Sequence, residues 1–200
     1  MRKGIALIFL SAFFMAEMSA QVCTGLDGGF NRTMDSLTNL KDKDYSIEQT
    51  GNLFMAEAGY GFNLHTGLAG FRNIELVAGI KAGALHLLTT KSKDGATTFT
   101  LQTFPLIAFV RAETKYAYLD AGIGMHFWDL KYTADSTNLD NGGAGFTLYL
   151  SSGPCITVFD TWTIRAGPSL SYFSIPDIGT GASGNSLSLG ALAGISYSFR

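Results

Sequence analysis

The last stretch of the chain constrains the fold most. Leu187, Leu189, Ala191, Ala193, Ile195, Tyr197 and Phe199 alternate with Ser188, Gly190, Gly194, Ser196 and Ser198. A period of two is the signature of a strand with two unlike faces. In a soluble antiparallel sheet the face turned away from the core is solvated and polar. Here it is Ser and Gly, the pattern of a face lining a narrow interior while the apolar face meets lipid.

The same alternation recurs upstream. Val22, Thr24, Leu26, Gly28 and Phe30 oppose Gly25, Asp27, Gly29 and Asn31; Phe54, Ala56, Ala58, Tyr60 and Phe62 oppose Glu57, Gly59, Gly61 and Asn63. Ile74, Leu76, Ala78, Ile80, Ala82 and Ala84 oppose Glu75, Gly79, Lys81 and Gly83. Leu119, Ala121, Ile123, Met125 and Phe127 oppose Asp120, Gly122, Gly124, His126 and Trp128. Phe146, Leu148 and Leu150 oppose Thr147, Tyr149, Ser151 and Gly153, and Trp162, Ile164, Ala166, Leu170 and Tyr172 oppose Arg165, Gly167, Ser169 and Ser171. A fourth strand, Thr97 to Arg111, is less regular, and its facing stays open because Pro105 removes a ladder donor and marks a candidate bulge. Pro154 and Pro168 mark bulges or barrel corners by the same reasoning. With the final segment the count is eight.

The connections alternate in length. Arg32 to Gly51, Thr89 to Ala96, Thr133 to Gly143 and Pro176 to Asn185 are long and polar, whereas Arg111 to Lys115 and Asp160 to Thr161 are short; His65 to Arg72 is longer than its place requires. The expected fold is all-β: an eight-stranded antiparallel transmembrane β-barrel of the up-and-down kind, with short periplasmic turns and longer extracellular loops. An even strand number puts both ends of the barrel chain on the periplasmic side. Tyr60, Phe62, Tyr116, Tyr118, Trp162, Tyr197 and Phe199 then ring that interface, and Phe30, Phe54, Phe99, Phe127, Phe146 and Tyr172 the outer one.

The first residues fit an export signal. Arg2 and Lys3 precede an apolar run from Gly4 to Met15, followed by the small Ser19 and Ala20, the three parts of a secretory signal cleaved after Ala20. The run is too short to span a bilayer as a helix. Acylation at Cys23 is disfavoured, because Gln21 and Val22 replace the small residues that lipoprotein processing prefers. The organisation is a signal peptide at 1–20 and one barrel domain at 21–200. Charged residues are 15% of the chain, against about 25% in soluble domains, and a net charge of −2 gives no case for nucleic acid. Cys23 and Cys155 both face inward near one end, but on strands that are not neighbours. Two free, buried thiols are expected, because a disulfide needs Cα atoms within about 7 Å.

Gly194, Ile195, Ser196, Tyr197, Ser198 and Phe199 carry the Gly-x-x-aromatic-x-aromatic pattern with which outer-membrane barrels end. With its strand pattern, the chain resembles the small eight-stranded bacterial group that includes the OmpA membrane domain, OmpX and OmpW. The resemblance implies an outer-membrane address, outer-membrane lipids as surroundings, insertion by BAM-type assembly machinery through Gly194, Tyr197 and Phe199, and a monomer.

An eight-stranded barrel is just wide enough for its interior side chains to fill it. The inward polar set is Asp27, Glu57, Glu75, Lys81, Asp120, His126 and Arg165, whose mixed charges must pair in a confined lumen. Folding about the His65 to Arg72 turn brings residues whose numbers sum to about 138 opposite each other, so Glu57 and Lys81 are predicted to meet. Exchange of partners with Asp120 or Arg165 would make a narrow pore for ions or small solutes. A lipid A-modifying enzyme is the weaker reading: His86 lies near Thr89 and Thr90 without a Ser and second acid, and His126 and Asp120 are six residues apart along one strand. No catalytic residue, cofactor or metal is assigned; Asp140, Asn141 and Gly142 read as a turn, and Asn31, Arg32 and Thr33 as a chance glycosylation match. The leading expectation is a structural or surface-interaction role through the long loops, which have room for surface ligands. A soluble barrel with its greasy faces inward is disfavoured, because its exterior would be Gly and Ser.

Overall fold

A computed structural model describes residues 21–33, 45–48, 50–65, 73–92, 97–134, 137–175 and 184–199. The expected signal at 1–20 and most of the long connections lie outside these residues. The strands are β1 (Gln21–Thr33), β2 (Tyr45–Glu48), β3 (Thr50–His65), β4 (Asn73–Ser92), β5 (Thr97–Glu113), β6 (Ala117–Ala134), β7 (Thr137–Val158), β8 (Trp162–Ile175) and β9 (Gly184–Phe199). They form one antiparallel sheet in the order β2-β4-β3-β1-β9-β8-β7-β6-β5, and a further β4–β5 pairing closes it. The short β2 and β3 both pair with β4, so they share one stave of the wall. Nine strands therefore make eight staves.

Following the register around the wall gives the geometry of closure. Val22 pairs with Tyr60, then in turn Ala78, Val110, Ala121, Leu150, Leu170, Leu189 and finally Arg32. One circuit starts at residue 22 and returns at residue 32, a stagger of ten residues. Strands in such a cylinder tilt by roughly 35–45°.

The faces follow the sequence pattern. Leu26, Phe54, Ile80, Ile123, Leu148, Ile164 and Ile195 are exposed on the outer wall, a surface that a soluble protein does not present. Apolar side chains turned outward on every stave form the lipid-facing band of a membrane barrel, about 25 Å tall. That band and its aromatic borders place the barrel in a bacterial outer membrane. Near the turns, Trp162, Tyr197 and Phe199 stack edge to face, with ring centroids 4.8 and 4.7 Å apart; Phe159 and Tyr116 are exposed beside them. The opposite border carries Phe30, Phe54, Phe127 and Phe146, joined by Phe104. Tyr118 departs from the expected girdle: it points inward, where its hydroxyl lies 2.9 Å from that of Ser151. The outward Leu119 fixes its neighbour on the other face. The side chains of Phe99, His86 and Thr90 lie outside the described set.

Three prolines are accommodated without a bulge at any of them. Around Pro105 the β4–β5 ladder skips Gly83 and Ala84 against Phe104 and Pro105 and resumes in the same register, and β5 alternates unbroken through Pro105. The register shift lies instead between His86 and Leu88 of β4. The β7–β8 ladder likewise skips Ser152 to Pro154 against Ala166 to Pro168 and resumes in register. Pro154 and Pro168 share that one interruption, where the donors they lack leave no gap elsewhere.

The connection expected at Thr133 to Gly143 is a strand extension. β6 and β7 stay paired to Ala134 and Thr137, so Asp140, Asn141 and Gly142 lie within β7 opposite Lys131, Leu130 and Asp129. On the other side, β5 turns into β6 at Thr114, which bonds Ala117 through both its N–H and its hydroxyl. The β7–β8 turn holds Phe159 and Asp160 at positive φ, 54° and 58°.

Candidate functional site: the interior of the barrel

The interior has two layers. Toward the periplasmic end lies a belt of ions. Lys81 Nζ is 2.8 Å from Asp27, 2.9 Å from Glu57 and 2.6 Å from Asp120. Arg111 Nη1 donates to both oxygens of Glu57 at 2.7 Å, and its Nε lies 2.5 Å from Glu113. Arg165 Nη2 contacts Asp27 at 2.9 Å and Glu57 at 3.0 Å, while Nη1 reaches Glu113 at 3.3 Å and donates to Ser196 at 2.8 Å. Three cations thus meet four carboxylates, all seven buried.

The register explains how they converge. Glu57 and Lys81 are direct cross-strand partners, as are Arg111 and Asp120. Asp27, Gly194 and Arg165 occupy one row across β1, β9 and β8. A Cβ at Gly194 would overlap the Asp27 carboxylate, and one at Gly25 would lie 2.8 Å from Glu57 Oε1. Glycine at these two positions lets long charged side chains lie flat across a neighbouring stave. Aromatic faces complete the belt: Phe109 lies 4.8 Å from Lys81 Nζ and 5.4 Å from the Arg111 guanidinium, geometry in which a ring attracts a cation.

Above the belt, large apolar side chains pack among small buried polar ones, including Asn31, Thr103, Thr147, Ser171, Ser186 and Ser188. Leu53, Met55, Leu85, Leu101, Ile107, Trp128, Phe173, Ile175 and Leu192 pack into a buried cluster. His126 belongs to this layer; its ring meets Phe173 edge-on at 5.1 Å, and it is fully buried. It is not among the groups that contact the ions. Asp120, its same-face neighbour, is held by Lys81, so the two do not assemble as an acid–base pair.

Of the polar set read from the sequence, Asp27, Glu57, Lys81, Asp120 and Arg165 come together. Glu75 stands at the mouth, with its Oε1 3.9 Å from the Cys23 thiol. Arg111 and Glu113, which the sequence places in a short connection, are instead central to the belt. Their signal is the alternation of Leu106, Ala108, Val110 and Ala112, hidden because Ile107 and Phe109 make the other face equally apolar.

The periplasmic mouth opens as a vestibule of about 540 Å³ lined by Asn63, Glu75, Glu113, Thr114, Cys155 and Thr157. Cys23 and Cys155 are both buried and unbridged, with the Cys155 thiol donating to the Thr114 carbonyl at 3.3 Å. Among the described residues, no three His, Cys, Asp or Glu side chains are grouped to hold a metal ion.

Solved structures share this architecture. A major outer membrane protein from Thermus thermophilus superposes with a TM-score of 0.55 at 12% identity, over 90% of this chain and all (100%) of the other. The fold is that of the small outer-membrane β-barrels. Ail, the attachment invasion locus protein of Yersinia pestis, solved with the heparin analogue sucrose octasulfate, aligns with a TM-score of 0.51 at 9% identity, over 92% of this chain and 99% of the other. No protein-family model and no curated protein matches the sequence.

Proposed function

We propose that this chain is a non-porous outer-membrane barrel whose work is done outside its lumen, by anchoring and displaying its extracellular connections. The observation that carries this reading is the filled interior. Two barriers of different chemistry lie in series along the axis, an ion belt with every charged head paired and, above it, a packed layer of large apolar and small polar side chains. Ions cross neither without breaking buried pairs or forcing apart packed side chains.

Display is supported by the β6–β7 hairpin, which remains paired beyond the apolar band and is exposed on both faces from Asp140 to Ala144. Ail, a barrel of the same fold, was solved with a heparin analogue, which supports surface interaction as the class of role. Export by a leader removed after Ala20, insertion by BAM-type machinery acting on β9, and a monomeric state belong to the same proposal. An epitope inserted between residues 135 and 136 is expected to be labelled by antibody on intact cells, and planar-bilayer recordings of the refolded protein to stay silent. Labelling only after permeabilisation, or steady conductance, would overturn the reading.

A narrow pore is the second reading, favoured by the vestibule that admits solvent as far as Glu113. It requires partner exchange within the belt, and the same recordings with Glu57→Gln decide it.

A further inference from the structure

Removal of the leader makes Gln21 the first residue of the mature chain, and Gln21 is also the first residue of β1. It is not a free tail. The residue is 9% exposed, it is registered opposite Gly61 of β3, and its carbonyl accepts the Cys23 thiol at 3.8 Å. Gln21 is therefore part of the barrel wall.

Glutamine at a chain end has a reaction open to no other position. Its α-amine reaches its own side-chain amide in a five-membered ring. We propose that the mature chain begins with pyroglutamate formed from Gln21. The α-nitrogen attacks Cδ, the N–Cδ bond forms, the Cδ–Nε2 bond breaks, and ammonia leaves with a proton from the α-amine. No oxidant or co-reactant is needed.

The site accommodates the product. A free α-amine titrates at about 7.7–8.0, so an uncyclised Gln21 adds an ammonium at the start of the β1 ladder, opposite Gly61. The lactam is neutral. Unlike proline it keeps one N–H, and its carbonyl still accepts from Cys23, so backbone bonding at the β1 start is retained.

This inference rests on the leader reading above, and the experiment separates the two. The full chain is expressed, the barrel is extracted from the outer-membrane fraction and digested with trypsin, and the peptide from Gln21 to Arg32 is sequenced by mass spectrometry. The expected peptide is lighter by one ammonia, with the loss on its first residue, and resists Edman degradation; Gln21→Ala gives the ordinary mass and degrades freely. An unblocked Gln21, both on isolation and after incubation at neutral pH, would overturn the proposal. Equal cyclisation of a synthetic 21–32 peptide carried through the same digestion would also overturn it, by assigning the ring to the workup. A first residue other than Gln21 overturns the leader reading itself.

Discussion

Lys81 Nζ and Asp120 Oδ2 lie 2.6 Å apart although β4 and β6 are separated in the wall by β5. The contact passes in front of the Phe109 ring rather than along the sheet. It ties non-adjacent staves through the lumen, as the contacts of Arg165 with Asp27, Glu57 and Glu113 also do. The belt is a set of cross-braces, so its members are coupled.

Removing the cation common to three carboxylates leaves buried charge uncompensated. Lys81→Met is expected to lower stability by about 3–5 kcal/mol, measured as the urea midpoint of heat-modifiable migration in detergent. Adding Asp120→Asn to that variant should recover part of the loss, since the pair is coupled.

Two barriers in series predict that breaching one does not open the barrel. Phe173→Ala with Ile175→Ala thins the apolar layer and leaves the belt. Bilayer recordings of that double variant should remain silent, and conductance should appear only when a belt substitution such as Glu57→Gln is combined with it.

The two tryptophans report opposite faces. Trp162 is 42% exposed on the outer wall and Trp128 5% exposed inside. In brominated lipid the Trp162 emission should be quenched strongly; Trp162→Phe should leave emission from Trp128 that lipid bromine barely touches. The reverse pattern would mean that the greasy faces point inward.

How far these features are legible in the sequence depends on contrast between faces. Where charges sit among small residues opposite a greasy row, as at Asp27, Glu57, Lys81, Asp120 and Arg165, period two alone locates them, and the residue sum across the β3–β4 turn locates the Glu57–Lys81 contact. On β5 the contrast vanishes, because Ile107 and Phe109 face in while Leu106 and Val110 face lipid; Arg111 and Glu113 are lost with it. The upper-lumen cluster of Leu53, Met55 and Phe173 is hidden for a related reason, since the final strand stays small and polar inside through Ser188 and Ser186 and gives no sign of the large side chains that face it. Asp140, Asn141 and Gly142 have turn propensity, but pairing with β6 outweighs local preference there.

Close backbone approach sets another test. A Cβ at Gly79 would overlap the Ala58 carbonyl, whereas at Gly28 the nearest atom is 3.9 Å away. Gly79→Ala is therefore expected to cost about 1–3 kcal/mol by overpacking and Gly28→Ala much less, compared as the folded fraction after dilution into micelles.

The β7–β8 turn stores strain in two non-glycine residues at positive φ, which costs of order 1–3 kcal/mol each. Phe159→Asn with Asp160→Gly, residues that suit such a turn, should raise the urea midpoint. A lowered midpoint would show that the lost Phe159 side chain outweighs the relieved backbone.

The ten-residue return of the hydrogen-bond path has a consequence for how such a chain could acquire transport. Strand number and offset together set the girth of the cylinder, so shaving side chains inside it frees only the volume those atoms held. Passing a nutrient would call for extra hairpins or a shifted seam, changes made by duplication or insertion rather than by point substitution.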